Sequence, residues 1–244
     1  MSESAIDALV ELALPLALYS GHPVVDKVLQ TDLQYGKVSE IVGDSGVGKT
    51  QICYSVVANF LMKTTFSVVW LDSNGSFRAS RLMRFLEKDE PSAKGEDSSL
   101  LLDRVHVARI ADQVQLSSAL QYIDDNFEAE RIRLVVIDSV HEMFDDRLLN
   151  DYTGRTSTMN AVLSRITALT DIGCTVLTTN SVSSDEEDKS DYNKTWTHKM
   201  KGRLRVKDGV LQSLGAGNVP SRQCCFRIGE NRLMADEYSW KVIR

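Results

Sequence analysis

The stretch "GDSGVGKT", from Gly43 to Thr50, decides the fold because it matches the phosphate-loop pattern Gly-x4-Gly-Lys-Ser/Thr. The apolar run "KVSEIV" precedes it and the amphipathic run "QICYSVVANFLMK" follows it, so we expect a strand, a loop and a helix. Glycines let such a loop turn its backbone N–H groups towards phosphate oxygens, and the helix N-terminus adds partial positive charge. The alternative, a chance glycine-rich turn, leaves the flanking strand and helix unexplained. The predicted nucleotide-binding residues are Gly43, Asp44, Ser45, Gly46, Val47, Gly48, Lys49 and Thr50.

A phosphate loop needs a magnesium ion and an acid on a neighbouring strand. Lys49 should reach the outer phosphates of ATP, and the Thr50 hydroxyl should hold Mg²⁺. Asp138 ends the apolar run "RLVVID" and should hold the same ion through water. An Asp at that position could instead cap a turn or a helix.

Short β-rich runs alternate with longer amphipathic runs up to Asn180, which predicts an α/β fold with a mostly parallel central sheet flanked by helices. The predicted strands are "KVSEIVG", "FSVVWLD", "RVHVARI", "RLVVIDS" and "CTVLTTN". The predicted helices are "TQICYSVVANFLMK", "RASRLMRFLEK", "DQVQLSSALQYIDDNF" and "TSTMNAVLSRITALTDIG". After Asn180, short strands separated by glycine-containing turns predict C-terminal antiparallel hairpins that complete the sheet.

Composition limits the class of protein. With 244 residues, of which 43% are hydrophobic, the chain can bury one sizeable core, and it contains no apolar run long enough to span a bilayer. The net charge of -6 argues against wholesale electrostatic binding to nucleic acid, so any DNA binding should be weak or shared. The four cysteines lack the spacing of a zinc site and lie in apolar segments, which predicts buried free thiols: Cys53, Cys174, Cys224 and Cys225.

Five segments in order resemble the ATPase core of the RecA-type recombinases, in particular the eukaryotic Rad51 branch. They are "GKVSEIVGDSGVGKTQICYSVVANF", "WLDSNGSFRASRLMRFL", "LVVIDSV", "DYTGR" and "CTVLTTNSV". The "DSNG" sequence followed by "ASRL" is most similar to the D-type paralogues of that branch. The resemblance implies a nuclear protein with a RecA-like P-loop core, ATP and Mg²⁺ as cofactors, and a role in homologous recombination and replication-fork repair. It implies a core over residues 21–244 and an apolar leader over residues 1–20, with no room for the helical N-terminal domain usual in the family.

The same resemblance makes ATP hydrolysis doubtful. The family's water-positioning glutamate stands two residues after the Asp of "WLDSNG", and Asn74 occupies that position here. An amide orients water but cannot accept its proton, so a factor of about 10² to 10⁴ in rate should be lost. The family's nucleotide sensor after the last core strand is usually Asn-Gln, whereas this chain has Asn180 and Ser181, whose shorter hydroxyl cannot span the same gap.

Two segments align with the DNA-facing loops of the family. In the first, "NDYTGRTS", Arg155 is the expected phosphate contact, although it could equally be solvated. The second runs from Ser181 to Lys201; its acidic first half should repel phosphate, and its second half interleaves an aromatic residue with basic ones. The predicted DNA contacts there are Lys194, Trp196, Lys199 and Lys201. The alternative is that Trp196 packs on the domain and that Arg203 and Arg205 lie on the solvent face of a strand.

The resemblance implies protein partners and two possible functions. No Phe-x-x-Ala segment precedes Gly21, so we expect a heteromer with another recombinase paralogue and not a uniform filament. The leader is either the docking element or part of the chain's own core. The first function is an ATP-binding paralogue that assists or stabilises the main recombinase filament on single-stranded DNA with weak hydrolysis. The alternative is a DNA-dependent ATPase with its own strand-exchange or motor activity, in which Asp72 or Glu142 replaces the missing glutamate.

Overall fold

A computed structural model describes residues 17–87, 98–140, 143–144, 152–181 and 191–243, with side chains omitted at 152–156 and 191–194. Seven α-helices lie in the described residues: α1 (Pro23–Leu29), α2 (Lys49–Lys63), α3 (Ala79–Leu86), α4 (Ser98–Leu102), α5 (Gln113–Asn126), α6 (Tyr152–Asp171) and α7 (Asp191–Lys199). The strands are β1 (Val38–Val42), β2 (Ser67–Asp72), β3 (Val105–Arg109), β4 (Ile132–Asp138), β5 (Thr175–Asn180), β6 (Gly202–Lys207), β7 (Val210–Leu214), β8 (Pro220–Ile228), β9 (Leu233–Ala235) and β10 (Lys241–Val242).

All ten strands form one sheet in the order β10-β8-β7-β6-β1-β5-β4-β2-β3, with β9 paired to β8. The strands from β6 to β3 in that order pair in parallel, and β7, β8, β9 and β10 add antiparallel pairs. The predicted α/β class, the five core strands and the antiparallel C-terminal hairpins are therefore confirmed.

The central strands β1, β2, β4 and β5 are buried on both faces, as expected for parallel strands whose crossovers are helices. Alternate residues of β4 face opposite sides: Leu134 and Val136 pack with α1, α2 and α3, while Val135 and Ile137 pack with α5, α6 and α7. Each strand of the central sheet thus contributes to two apolar layers. Within the described residues, no helix combines the length and the apolar character that crossing a membrane requires.

Three elements differ from the sequence predictions. Helix α6 begins at Tyr152, earlier than predicted, so the described part of the segment expected to be the first DNA loop is helical. Helix α7 lies in the segment that we predicted to be a polar loop, and the buried Trp196 and Met200 anchor it. These two apolar residues are too sparse a signal for helical periodicity. The short helices α1 and α4 were also not predicted.

The boundary of the leader and one cysteine need correction as well. Leu18 is 2% exposed and its N–H donates to Leu33 O at 2.7 Å, so residues 17–20 belong to the core. The rest of the leader, residues 1–16, lies outside the described residues. Cys53, Cys174 and Cys224 are buried free thiols as predicted, but Cys225 is exposed because its side chain points away from the core layer that its neighbour Cys224 joins.

Candidate functional site

The phosphate loop lies between the end of β1 and the first turn of α2, as the motif predicts. Gly48 has φ +106°, and an added Cβ would lie 2.5 Å from Ile228 Cδ1 in β8. At Gly43 an added Cβ would lie 2.4 Å from Val206 O in β6. Gly48 therefore requires glycine for its conformation, and Gly43 for the close approach of the β6 backbone. Asp44, Ser45 and Gly46 are exposed at the tip of the loop.

Lys49 is buried at the start of α2, and its ammonium binds two backbone carbonyls of the phosphate loop. Its Nζ donates to Gly43 O at 2.7 Å and to Asp44 O at 2.8 Å. In a nucleotide complex, phosphate oxygens would accept hydrogen bonds from the Lys49 ammonium. Here the two loop carbonyls accept hydrogen bonds from the same ammonium. A bound nucleotide would therefore exchange these contacts for phosphate contacts.

Thr50 and Asp138 are in direct contact, although 88 positions separate them. The Thr50 hydroxyl donates to Asp138 Oδ2 at 2.8 Å, and the Thr179 hydroxyl donates to Asp138 Oδ1 at 2.5 Å. Ser76 Oγ adds a third hydrogen bond to Oδ2 at 3.2 Å. A hydroxyl and a carboxylate are oxygen donors of the kind that Mg²⁺ prefers, so these residues fit the predicted ion.

The pKa of Asp138 is raised above its ordinary value. Burial is the main cause, because it penalises the charged form, and the nearby Asp72 acts in the same direction. The hydrogen bonds from Thr179, Thr50 and Ser76 oppose the shift in pKa. A cation beside this carboxylate would relieve the cost of its burial.

Asp72 ends β2 beside Asp138, and the loop that follows uses both of its oxygens. Oδ1 accepts from Gly75 N at 2.9 Å and from Ser76 N at 3.1 Å. Oδ2 lies 3.2 Å from Arg109 Nη1 and accepts from Phe77 N at 3.4 Å. Asp72 therefore stabilises the loop that follows β2. Glu142, the other acid considered as a replacement base, lies outside the described residues.

Asn74 is exposed in the same loop, between Asp72 and Ser76. Its Oδ1 accepts from Ser76 N at 2.8 Å, the usual side-chain-to-backbone bond by which Asn stabilises a turn. The position is therefore at the nucleotide end of the sheet, and the group that it presents is an amide. The role of Asn74 in water positioning stays a prediction.

Asn180 ends β5 and contacts the phosphate loop through its backbone. Its carbonyl oxygen accepts from Gly43 N at 3.2 Å, and its side chain donates from Nδ2 to Glu40 Oε1 at 2.9 Å. Ser181 follows it, half-buried, at the end of the described segment. Sequence reasoning missed Glu40, although a Glu inside the apolar strand "VSEIV" is itself a signal of a buried polar network.

The structure describes only some of the side chains that we predicted to contact DNA. Lys199 and Lys201 are exposed at and after the end of α7, whereas the side chains of Arg155 and Lys194 lie outside the described atoms. Trp196 is 1% exposed and packs against Phe144, with 6.3 Å between the ring centroids. The predicted base-stacking role of Trp196 is therefore wrong in this structure, because a ring in the core cannot meet a base.

A glycine-rich loop at the carboxyl end of β1, an acid at the end of β4 and the strand β5 between them define a P-loop nucleotide-binding domain of the RecA-like class. The family model for Rad51 matches residues 14–232, and the chain belongs to the Rad51 family.

Individual relatives agree with this assignment. The chain is 29% identical to "DNA repair protein RAD51 homolog 4" of Bos taurus over 81% of its length, and 28% identical to the Mus musculus protein of the same name over 90%. It is 34% identical over 74% of its length to "RAD51-like protein 1" of Caenorhabditis elegans. The chain spans 64%, 69% and 70% of the lengths of these three relatives, respectively. The similarity supports a Rad51-family paralogue, with the D type among the most similar.

Proposed function

We propose that this chain is an ATP-binding recombinase paralogue that acts in a heteromer. In that assembly it assists or stabilises recombinase filaments on single-stranded DNA during homologous recombination and replication-fork repair, and it hydrolyses ATP slowly. The relatives named for DNA repair support the recombination role. The observation that carries the proposal is an assembled phosphate loop next to an amide, Asn74, at the family's acid position.

The nucleotide would be held by groups that already converge. Backbone N–H groups from Gly43 to Thr50 would surround the phosphates, and Lys49 would exchange its two loop carbonyls for phosphate oxygens. Thr50 and Asp138 would hold the magnesium ion, Asp138 through water, and the ion would neutralise charge on the outer phosphates. Binding therefore needs only local changes in side-chain contacts.

Slow hydrolysis follows from the state of the nearby acids. Asn74 has no basicity, and Asp72 has both carboxylate oxygens occupied by the loop and Arg109. Asp138 accepts from the hydroxyl groups of Thr50 and Thr179 and would hold the ion. This arrangement weighs against the alternative function, a DNA-dependent ATPase that uses Asp72 as its base.

Cationic side chains on the outer strands favour contact with a phosphate backbone. Arg205 alternates along β6 with the buried Leu204 and Val206, so it lies on the face away from that core layer. Its Nε donates to Gln212 at 3.1 Å, and Gln212 donates to Gln223 at the same distance. Together with the exposed Lys199 and Lys201, these groups offer positive charge and amides, which are suited to sequence-independent binding of modest strength.

The heteromer is supported by the position of β3 at the edge of the sheet that the described residues form. This strand ends the sheet order on one side, and Val107 in it is exposed, as is Val114 at the start of α5. An exposed strand edge with apolar neighbours is a template for an added strand from another chain. We infer that another recombinase paralogue is the partner.

Purification of the chain with its associated proteins, followed by mass spectrometry and ATPase assays, tests the proposal. We expect a partner with its own phosphate loop, ATP binding, and slow turnover that single-stranded DNA stimulates weakly. Brisk turnover or strand exchange by the isolated chain would contradict the proposal and favour an autonomous DNA-dependent ATPase. Failure to bind ATP or ADP would contradict the nucleotide-binding part.

A further inference from the structure

A carboxylate lies fully buried in the middle of the sheet, on β1 between β5 and β6. Glu40 is 0% exposed. Its Oε1 accepts from Asn180 Nδ2 at 2.9 Å, and its Oε2 accepts from Arg203 Nε at 2.9 Å. A buried carboxylate is costly unless it is paired and hydrogen-bonded, and here both oxygens have partners. The network therefore ties three strands together through one side chain.

The charge of Glu40 dictates which way the Asn180 amide points. An ionised carboxylate only accepts hydrogen bonds, so Asn180 must present its NH₂ group to Glu40 and turn its Oδ1 elsewhere. That Oδ1 is buried and has no hydrogen-bond partner within the described residues. An unsatisfied buried acceptor is unusual in a folded protein and indicates a site for a donor.

The free oxygen belongs to a residue that contacts the phosphate loop. The backbone oxygen of Asn180 accepts from Gly43 N, and the preceding Thr179 binds Asp138. Phosphate oxygens are acceptors and cannot satisfy Asn180 Oδ1 directly. Its partner must be a donor, and a water molecule that also donates to a phosphate oxygen meets that requirement.

The other end of the network reaches the surface. The Nη1 of Arg203 donates to Asn218 Oδ1 in the turn between β7 and β8. Arg203 is itself mostly buried, with 16% of its side chain exposed. A chain of direct contacts thus runs from Asn180 through Glu40 and Arg203 to Asn218.

We propose that Glu40 and Arg203 are positioning residues that fix the Asn180 amide so that its oxygen receives a bridging water beside the third phosphate of ATP. The pair thereby makes the site distinguish ATP from ADP, and it holds the β7–β8 turn in register with the phosphate loop. This inference rests on the proposed ATP binding. It assigns to Glu40 a role that acts through Asn180 and not through contact with the nucleotide.

The test compares the affinities for ATP and ADP by calorimetry with magnesium present. Glu40→Gln keeps the shape of the side chain but can donate, so it releases the orientation of the Asn180 amide. We expect the ratio of ATP to ADP affinity to fall about 5- to 10-fold, the effect of one hydrogen bond, while ADP affinity stays the same. Asn180→Ala should give a similar loss, and the double variant should lose no more than Asn180→Ala alone, because the two residues act in series.

Arg205→Gln is the matched control, since Arg205 lies on the same face of β6 but contacts Gln212. It should leave the ratio unchanged. An unchanged ratio in folded Glu40→Gln, or additive losses in the double variant, would overturn the inference. If Glu40→Gln does not fold, Arg203→Lys decides in the same assay, because Lys keeps the charge but lacks the Nε donor and the fork that reaches Asn218.

A measurement without nucleotide separates this inference from the proposed function. If the natural chain binds neither ATP nor ADP, the proposed function fails, and amide hydrogen exchange then tests the pair alone. Glu40→Gln should speed exchange both at Gly43 and in the turn at residues 216–218, whereas Arg205→Gln should speed neither. Unchanged exchange at both places would overturn the positioning role.

Discussion

The Thr50 hydroxyl donates a 2.8 Å hydrogen bond to Oδ2 of Asp138, which joins the first turn of α2 to the end of β4. A magnesium ion would bind a lone pair of the Thr50 oxygen, so the hydroxyl could keep its proton on Asp138 while the ion is bound. The contact between these two residues therefore holds two oxygen donors for the ion next to each other. It also ties the state of the phosphate loop to Asp138 and, through Thr179, to the end of β5.

Lys49→Ala should abolish ATP binding, which means a loss of at least about 100-fold in affinity, since it removes the cation that meets the outer phosphates. Calorimetry with ATP and magnesium measures the effect. Lys63→Ala is the control, because Lys63 lies at the exposed far end of the same helix. Equal affinity in Lys49→Ala and the natural chain would show that the loop does not bind the nucleotide in the expected way.

Asp138→Asn should stabilise the nucleotide-free fold near neutral pH. Burial raises the pKa of Asp138 above its ordinary 3.8, so its ionised form costs more in the folded than in the unfolded chain. Its contribution to stability is full below pH 3.8 and is lost as the pH rises through the folded-state pKa. Thermal unfolding without nucleotide should therefore give a higher midpoint for Asp138→Asn near pH 7, and the difference should shrink towards pH 3.8.

The same variant should lose its thermal response to magnesium and ATP, because a neutral amide is a poor partner for the ion. A magnesium-dependent stabilisation equal to that of the natural chain would contradict the ion-holding role. Thr64→Ala, at the opposite end of α2, serves as the control for general effects on the helix, as its hydroxyl bonds locally: it donates to Phe60 O and accepts from Phe66 N.

The nucleotide end of the sheet was predictable from the sequence because its parts are local motifs. Gly43 to Thr50 form one contiguous pattern, and Asp138 ends a run of apolar residues that can only be a buried strand. The contacts of Glu40 were not predictable, because they join residues 140 and 163 positions apart. Helix α7 was missed since its polar sequence has too few apolar residues to show a helical period, and the burial of Trp196 removes that residue from the DNA surface.

Joint replacement of Lys199 and Lys201 by Ala should weaken binding to single-stranded DNA of any sequence. The slope of log affinity against log salt should flatten by about 0.7 for each phosphate that the variant no longer neutralises. Fluorescence anisotropy over a salt series measures both quantities. Trp196→Phe is the control, since a buried ring should affect stability and leave DNA affinity unchanged, and an unaltered slope in the lysine variant would remove these residues from the DNA path.

Deletion of residues 1–16 should release the heteromeric partner and leave the core folded. Residues 17–20 must be kept, since Leu18 is buried and Ser20 N donates to Asp26 Oδ1 at 2.6 Å. Co-purification measures partner binding, and circular dichroism during heating measures the fold. A truncated chain that melts at least about 5 °C lower would instead place the leader in this chain's own core, because a shift of that size represents about 1 kcal/mol or more.

Asn74→Glu should raise ATP hydrolysis about 10-fold, equivalent to about 1.4 kcal/mol of barrier, with little change in ATP affinity. Asn74 is exposed, and only its own turn, through Ser76 N, uses its oxygen, so the longer carboxylate can extend towards the nucleotide without entering the core. A base acts on the attacking water in the transition state and leaves the ground state of the bound nucleotide almost unchanged. Asn74→Gln is the matched control, because it has the same length as Glu without the basicity, and it should hydrolyse ATP at the natural rate.

The assay belongs on the complex with its partner and single-stranded DNA, since the family resemblance implies a site completed by a neighbouring subunit. Equal rates for Asn74→Glu and Asn74→Gln with ATP bound, or brisk hydrolysis by the natural chain, would mean that basicity at position 74 does not limit turnover.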